Sequence, residues 1–292
     1  AVTATASTTG MLIPPSNILI VYAVASGGVS IAALFVAGYA PGILVAVSLM
    51  VVCAVYAKRH NFPAGERVPF AILWKYTMAA LPSLFLIILV IGGILGGVFT
   101  ATEAGAIAVL YAWLLSSVFY REISMAQLGQ ILLKSAETTA IVMFLGATSM
   151  AMSWLLAYQN IPTIVAETLV GLSDNPIVIL LLINLVLLMV GIFMDMTPAV
   201  LIFTPIFLPV AVELGMSPLH FGIMMVLNLC IGLCTPPVGS ILFVACAIAK
   251  TGISKIVRPM VPMYVAMFLA LLVVSYVPEF SEFLPRFFGL ID

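Results

Sequence analysis

The sequence predicts an all-α integral membrane protein, and three observations carry that prediction. Hydrophobic residues make up 64% of the chain and charged residues only 7%, where a soluble domain carries about 25% charged residues. Mean hydropathy is +1.30, and the apolar runs are long enough to cross the ~30 Å hydrocarbon core of a bilayer as helices. Proline pairs interrupt two of these runs. Gly-Leu-Cys-Thr-Pro-Pro-Val-Gly-Ser (232–240) lies inside an uncharged stretch over 221–249, and Gly-Met-Leu-Ile-Pro-Pro-Ser-Asn (10–17) repeats the device near the start. Adjacent prolines cannot continue a helix, so each break frees backbone groups at mid-membrane. Such backbone is tolerated there only where it is buried in protein or lines a cavity, which marks a binding site.

Taken in order, residues 1–9 (AVTATASTT) predict a small-residue helix that runs straight into the first break. This start has no initiator Met, basic region or signal-peptide pattern, so residues upstream are expected to be missing. Residues 17–25 complete the first crossing, and 29–57 predict a long helix ending at Lys58-Arg59-His60. The segment 58–75 holds Lys58, Arg59, Arg67 and Lys75 against Glu66 alone, so the positive-inside rule makes it cytoplasmic. Residues 76–98 then go out, 105–119 return, Arg121 and Lys134 lie inside, and 136–158 go out again. The connection 159–175 carries Glu167 and Asp174 with no Lys or Arg and is expected outside.

Residues 176–212 do not read as two ordinary spans. Two apolar arms flank Met194-Asp-Met-Thr-Pro198, and a re-entrant hairpin from outside puts Asp195 and Thr197 at its tip near the midplane. That reading returns Lys250, Lys255 and Arg258 to the cytoplasm and places nine of the ten Lys and Arg residues inside, Arg286 being the exception. Residues 260–277 go out, and Glu279, Glu282 and Asp292 end outside. Gly10 and Pro14-Pro15 align with Gly232 and Pro236-Pro237 at a constant offset. The two broken helices run in opposite directions, the mark of an inverted-repeat secondary transporter. The repeat also predicts a cytoplasmic hairpin before residue 1.

The remaining residues read plainly. Cys53, Cys230, Cys234 and Cys246 lie in apolar segments and are expected as core residues, without disulfide or metal. His60 and His220 fall in predicted loops and are expected to be solvated. Glu103 is expected to cap a helix from Thr102, and Lys134 with Glu137 to form a helix-end pair. An ionisable group inside the membrane is costly and tends to be functional, so Asp195 is a candidate for the ion or substrate site. It can also cap the turn at Thr197-Pro198-Ala199. No nucleophile–base pair, metal cluster or phosphate loop appears, so an enzyme is not expected, and nothing points to nucleic acid.

Four stretches carry a resemblance: GMLIPPSNILIVYA at 10–23, GGVFTATEAGAIAVLYA at 96–112, GIFMDMTPAVLIFTPIFLPVA at 191–211 and NLCIGLCTPPVGSILFV at 228–244. In that order the chain resembles the large membrane subunit of TRAP transporters, the tripartite ATP-independent periplasmic family, shortened at its amino end. The resemblance implies an elevator-type permease in a bacterial or archaeal inner membrane. It implies sodium-coupled uptake of an organic acid such as a C4-dicarboxylate or sialic acid, a periplasmic binding protein that delivers it, and a small membrane subunit that stiffens the scaffold. Transport segments would be 1–28 and 176–258, scaffold and connecting helices 29–135, the start of the second repeat 136–175, and a scaffold helix with the external end 259–292.

Sodium is a hard cation that unwound carbonyls and hydroxyls can ligate. On the resemblance, one ion site matches Gly10, Ile13 and Pro15, and a second matches Gly191, Gly232, Thr235 and Val238, Thr235 alone adding a hydroxyl. No cofactor beyond sodium is implied. A carboxylate substrate would meet amide dipoles at the half-helix starts, which makes Ser16, Asn17 and Ser240 the expected substrate contacts. The competing readings are a single-component sodium/anion symporter of similar architecture and, in another class, a membrane scaffold or embedded enzyme.

Overall fold

A computed structural model describes residues 1–62, 68–172 and 175–291. Glu66, Arg67, Asp174 and Asp292, which entered the orientation argument, lie outside the described residues. The described residues form α-helices and one π-helical turn, with no strand. In chain order the helices are α1 (Val2–Leu12), α2 (Asn17–Ala25), α3 (Ile31–Arg59), α4 (Phe70–Leu95), α5 (Ala101–Leu114, followed by the π turn Leu115–Phe119), α6 (Met125–Tyr158) and α7 (Ile161–Leu172). They continue as α8 (Pro176–Phe193), α9 (Met196–Glu213), α10 (Pro218–Cys234), α11 (Ser240–Ala249), α12 (Ile253–Tyr276) and α13 (Glu279–Phe287). Six helices are long and apolar enough to cross a membrane, or seven if the bent pair α1 and α2 is one span. The chain is an all-α membrane protein.

Two compact units divide the chain: Ala1–Arg59 with Met143–Asp292, and His60–Val142. The units cut the chain at other points than the expected transport and scaffold segments do. Helices α3, α12 and α13 share the first unit with both broken helices.

The first unit is built around α10, whose residues from Leu219 to Cys234 are all buried. A helix apolar on every side must be enclosed by others, and α8, α9, α12, α1 and α3 pack around it. Polar side chains tie this core across helices. Asn228 Nδ2 donates to Asn184 Oδ1 at 2.7 Å and to Asn184 O at 2.8 Å, and Asn184 Nδ2 donates to Ser275 Oγ at 3.1 Å. In an apolar interior such bonds between helices contribute about 0.6 to 2 kcal/mol each. At the far end of α10, Ser217 caps the helix and donates to Glu282 of α13, which also accepts from Arg286 at 2.8 Å.

The second unit packs α4 against α5, with Tyr111 Oη donating to Pro82 O at 2.7 Å beside the α4 proline. Its apolar side chains are mostly exposed, as lipid-facing surfaces require.

Several expectations are corrected. His220 is buried in α10 at 2% exposure, with Nε2 2.6 Å from Val274 O. A carbonyl only accepts, so Nε2 carries the proton and the ring is a core residue. Glu103 forms a capping box with Thr100, not Thr102, its Oε2 2.8 Å from Thr100 N. Lys134 and Glu137 do pair, at 2.8 Å, but inside α6, because that helix starts at Met125. The start is set by Ser124 and Gln127, which cap each other, Ser124 N to Gln127 Oε1 at 2.8 Å and Gln127 N to Ser124 Oγ at 3.3 Å. The connection 159–175 contains a helix, α7, and α12 begins seven residues before the expected Met260. All four cysteines are free thiols, and among the described residues no group of three or more His, Cys, Asp and Glu side chains is placed to hold a metal.

Candidate functional site

Each break arises because two prolines remove the N–H groups that would close the last turn of the preceding helix. In the second break, Leu233 O would need a donor from Pro236 or Pro237, and neither has one. Thr235 takes extended angles (φ −95°, ψ 133°) and ends α10. Its N–H donates to Gly232 O at 2.8 Å and its hydroxyl to Ile231 O at 2.7 Å. The hydroxyl proton is thus committed while the oxygen's lone pairs remain. Gly239, at φ 29°, then turns the chain into α11. A Cβ at Gly239 would stand 2.8 Å from both Leu233 O and Thr235 O, so only glycine lets the two carbonyls converge there.

The first break repeats this pattern. Ile13 ends α1 in extended conformation (φ −78°, ψ 124°), and α2 leaves at 49° to α1. Both breaks contain a cis Pro–Pro bond, Pro14-Pro15 and Pro236-Pro237. Ser16 is buried and its hydroxyl donates to Met11 O, the carbonyl that Pro14 and Pro15 leave without a backbone donor.

The hairpin of α8 and α9 meets both breaks. Gly191 lies against Gly232 so closely that a Cβ on Gly232 would be 2.7 Å from Gly191 Cα. Gly239 N–H donates to Ile192 O at 3.2 Å. The hairpin tip therefore packs against the second break. On its other side the tip faces the first break across a cleft of about 180 Å3, lined by Gly10, Met11, Pro15, Ser16, Asn17, Asp195, Met196 and Thr197 among others. Asp195 occupies the cap position of α9 with no side-chain cap bond, and its side chain is exposed. The capping geometry expected at Thr197-Pro198-Ala199 is not formed.

The expected residues thus fall into two groups. Gly10, Pro15, Ser16 and Asn17 share the cleft with Asp195 and Thr197, while Ile13 turns its side chain toward Gly42 of α3. Gly191, Gly232 and Thr235 gather at the second break, and Val238 is exposed at 40%. Ser240 opens α11 and is exposed, and it is not among the residues lining the cleft. Asp195 and Thr197, expected at the hairpin tip, line the cleft with the first break. Sequence reasoning missed Tyr264, whose phenol donates to Cys234 O at 2.6 Å. It also missed Gly38, where a Cβ would come within 2.2 Å of Leu12 O. The small-residue spacing of Gly38 and Gly42 is the signal that marks α3 as a close-packing helix.

Residues 1–280 match the family model described as "Tripartite ATP-independent periplasmic transporter, DctM component". The chain belongs to this family. It is 54% identical over 280 residues, 96% of the chain, to the uncharacterized protein YgiK of Salmonella typhimurium. It is 38% identical over 92% of its length to the 2,3-diketo-L-gulonate TRAP transporter large permease protein YiaN of Escherichia coli. It is also 38% identical over 98% of its length to the C4-dicarboxylate TRAP transporter large permease protein DctM of Pseudomonas aeruginosa. The chain spans 64%, 63% and 66% of the length of these three relatives. Membership of this permease family, with several apolar helices, makes the DctM-type chain a multi-pass protein of the bacterial inner membrane. Its named relatives are permeases and not enzymes.

Proposed function

We propose that the full-length permease carrying this sequence imports an organic acid, a carboxylate or sugar acid, in symport with sodium. A soluble periplasmic binding protein delivers the acid and a small membrane subunit braces the scaffold. The observation that carries this reading is the meeting of two proline-broken helices with one hairpin tip inside a single compact unit. Carbonyls freed by the prolines, with the Thr235 oxygen, offer the hard oxygen donors that sodium takes, and no full counter-charge need be buried. Gly10, Ile13 and Pro15 serve the first ion, and Gly191, Gly232, Thr235 and Val238 the second. The Asp195 carboxylate in the cleft favours a cation beside it, so Asp195 and Thr197 belong to an ion held there. Ser16, Asn17 and Ser240 stand at the starts of α2 and α11, where helix dipoles favour a carboxylate. No cofactor beyond sodium is needed. In an elevator step the hairpin and the broken helices would travel together, since the hairpin tip packs on the second break and shares a cleft with the first.

The substrate class rests on relatives named for 2,3-diketo-L-gulonate, C4-dicarboxylates and sialic acid, all of them organic acids. The test is reconstitution of the full-length permease and its small subunit in proteoliposomes with a sodium gradient. Uptake of a radiolabelled organic acid that requires the added binding protein supports the tripartite reading. Equal uptake of free substrate without it replaces that reading with a single-component sodium/anion symporter.

A further inference from the structure

The two breaks differ in which carbonyl is held. Pro237 removes the usual helical donor to Leu233 O, and the extended turn at Thr235 ends α10 before the Val238 N–H can close on Cys234 O, so the last two carbonyls of α10 lack helical partners. Cys234 O accepts the Tyr264 phenol at 2.6 Å. Leu233 O receives no hydrogen bond from the described residues, and it converges with Thr235 O on Gly239. The separation that relates Gly10 to Gly232 also relates Met11 to Leu233 and Leu12 to Cys234. In the first break the assignment is reversed. Met11 O accepts the Ser16 hydroxyl, and Leu12 O has no donor among the described residues and lies against Gly38, where a Cβ would sit 2.2 Å away. Tyr264 itself corresponds to Gly42 under the same separation, so the first repeat has no phenol at that place, and Ser16 corresponds to Val238, so the second has no hydroxyl there. Each break therefore has one carbonyl tied by a side-chain hydroxyl and one left open, and the hydroxyl's position decides which.

We propose that Tyr264 of α12 is a positioning residue for the cation site of the second break: by holding Cys234 O it leaves Leu233 O, beside Thr235 O at Gly239, as the carbonyl open to the ion. The inference rests on the sodium reading above. Tyr264 is well placed for the task. It packs on the cluster of Ala4, Cys234, Leu242, Cys246, Ile256 and Met260, which includes the last residue of α10, and its hydroxyl, 3.7 Å from Met260 Sδ, lies much closer to Cys234 O. Without that proton, Cys234 O is free to rotate toward the ion or to draw in water, and the end of α10 loses one of its constraints. The first break, held by Ser16 from within its own loop, does not depend on α12 in this way.

The experiment uses the full-length permease with its small subunit and binding protein in proteoliposomes, comparing wild type, Tyr264→Phe and the control Tyr276→Phe, which removes another phenol bond of α12, to Ile177 O at 2.8 Å. Sodium is titrated against potassium at saturating substrate, and lithium is tried as a substitute. The phenol bond to a carbonyl is worth about 0.5 to 1.5 kcal/mol, so Tyr264→Phe should raise the sodium concentration for half-maximal uptake roughly 2- to 10-fold. It should also change the lithium-to-sodium preference and leave the substrate KM at saturating sodium unmoved, while Tyr276→Phe titrates with sodium like wild type. Sodium-induced stabilisation of the purified complex, read as a thermal shift, reports the same affinity if uptake is too weak to titrate. A sodium-dependent wild type with Tyr264→Phe at the same half-saturation and the same lithium preference overturns the assignment of Tyr264 while the sodium reading stands. A change in substrate KM alone also overturns it. Wild-type uptake that is equal in sodium and potassium overturns the sodium reading and this inference with it.

Discussion

Replacing Gly232 with alanine would set a methyl carbon 2.7 Å from both the carbonyl carbon and Cα of Gly191 and 3.1 Å from Ile192 N. Carbon atoms in contact normally stand about 3.5 to 4.0 Å apart, so α8 and α10 must part by roughly 1 Å at this point. All three opposing atoms are backbone, and no rotamer change can relieve the clash. The shift would stretch the bond from Gly239 N–H to Ile192 O, already 3.2 Å long, out of hydrogen-bond range. Overpacking of this kind costs about 1 to 3 kcal/mol. Gly10→Ala is the matched control, since nothing lies within 4 Å of the Cβ it would add. In a helix the change from glycine to alanine favours folding by up to about 1 kcal/mol. Thermal unfolding of the purified full-length complex should therefore show a lower Tm for Gly232→Ala and an equal or higher Tm for Gly10→Ala. Uptake should fall in both, since Gly10 lines the cleft. An unchanged Tm and wild-type uptake in Gly232→Ala would refute the close approach of hairpin and broken helix.

Other substitutions test neighbouring parts of the account. Gly38→Ala, with its Cβ 2.2 Å from Leu12 O, should lower Tm by a cost of about 1 to 3 kcal/mol and weaken sodium dependence at the first break; a stable variant with normal sodium titration would contradict this. Asn184→Leu removes the side-chain acceptor of the buried Asn228 amide, which keeps Asn184 O, and the donor to Ser275 Oγ, and should cost about 1 to 3 kcal/mol, read as a fall in Tm that Asn184→Gln partly restores. Tyr22→Phe removes the bond from Tyr22 Oη to Pro218 O, 2.6 Å, and should cost about 1 kcal/mol while sodium half-saturation stays unchanged.

The membrane class and the proline breaks were legible because they rest on long apolar runs and on prolines, whose local effect no tertiary contact overrides. Helix starts were less so. Hydropathy placed the start of α6 near residue 136, but the Ser124–Gln127 capping box lies outside the apolar run and sets it at Met125. His220 falls just before the uncharged run over 221–249 and so reads as a loop residue. Proline at the first turn of a helix is well tolerated, and here it opens α10.

Of the candidate site, the two breaks could be read from sequence because Pro-Pro dictates which carbonyls go unpaired. Which hairpin residue faces which break could not, since Gly191 near the end of α8 and Asp195 capping α9 lie on either side of the extended Met194 and meet different neighbours. Tyr264 was invisible for a similar reason. It sits 30 residues from the carbonyl it holds, in a helix whose sequence carries no break.

The central claim, that the broken helices hold a coupling sodium, is tested most directly at Thr235, the one hydroxyl of the second break. Uptake of the organic acid would be measured against sodium concentration in proteoliposomes of the complete transporter, for wild type and for Thr235→Val, which keeps the shape and removes the oxygen. The account predicts no uptake by the wild type when potassium replaces sodium, and a rise of roughly tenfold or more in the sodium needed by Thr235→Val. Equal uptake in potassium, or an unshifted sodium curve in Thr235→Val, would contradict it.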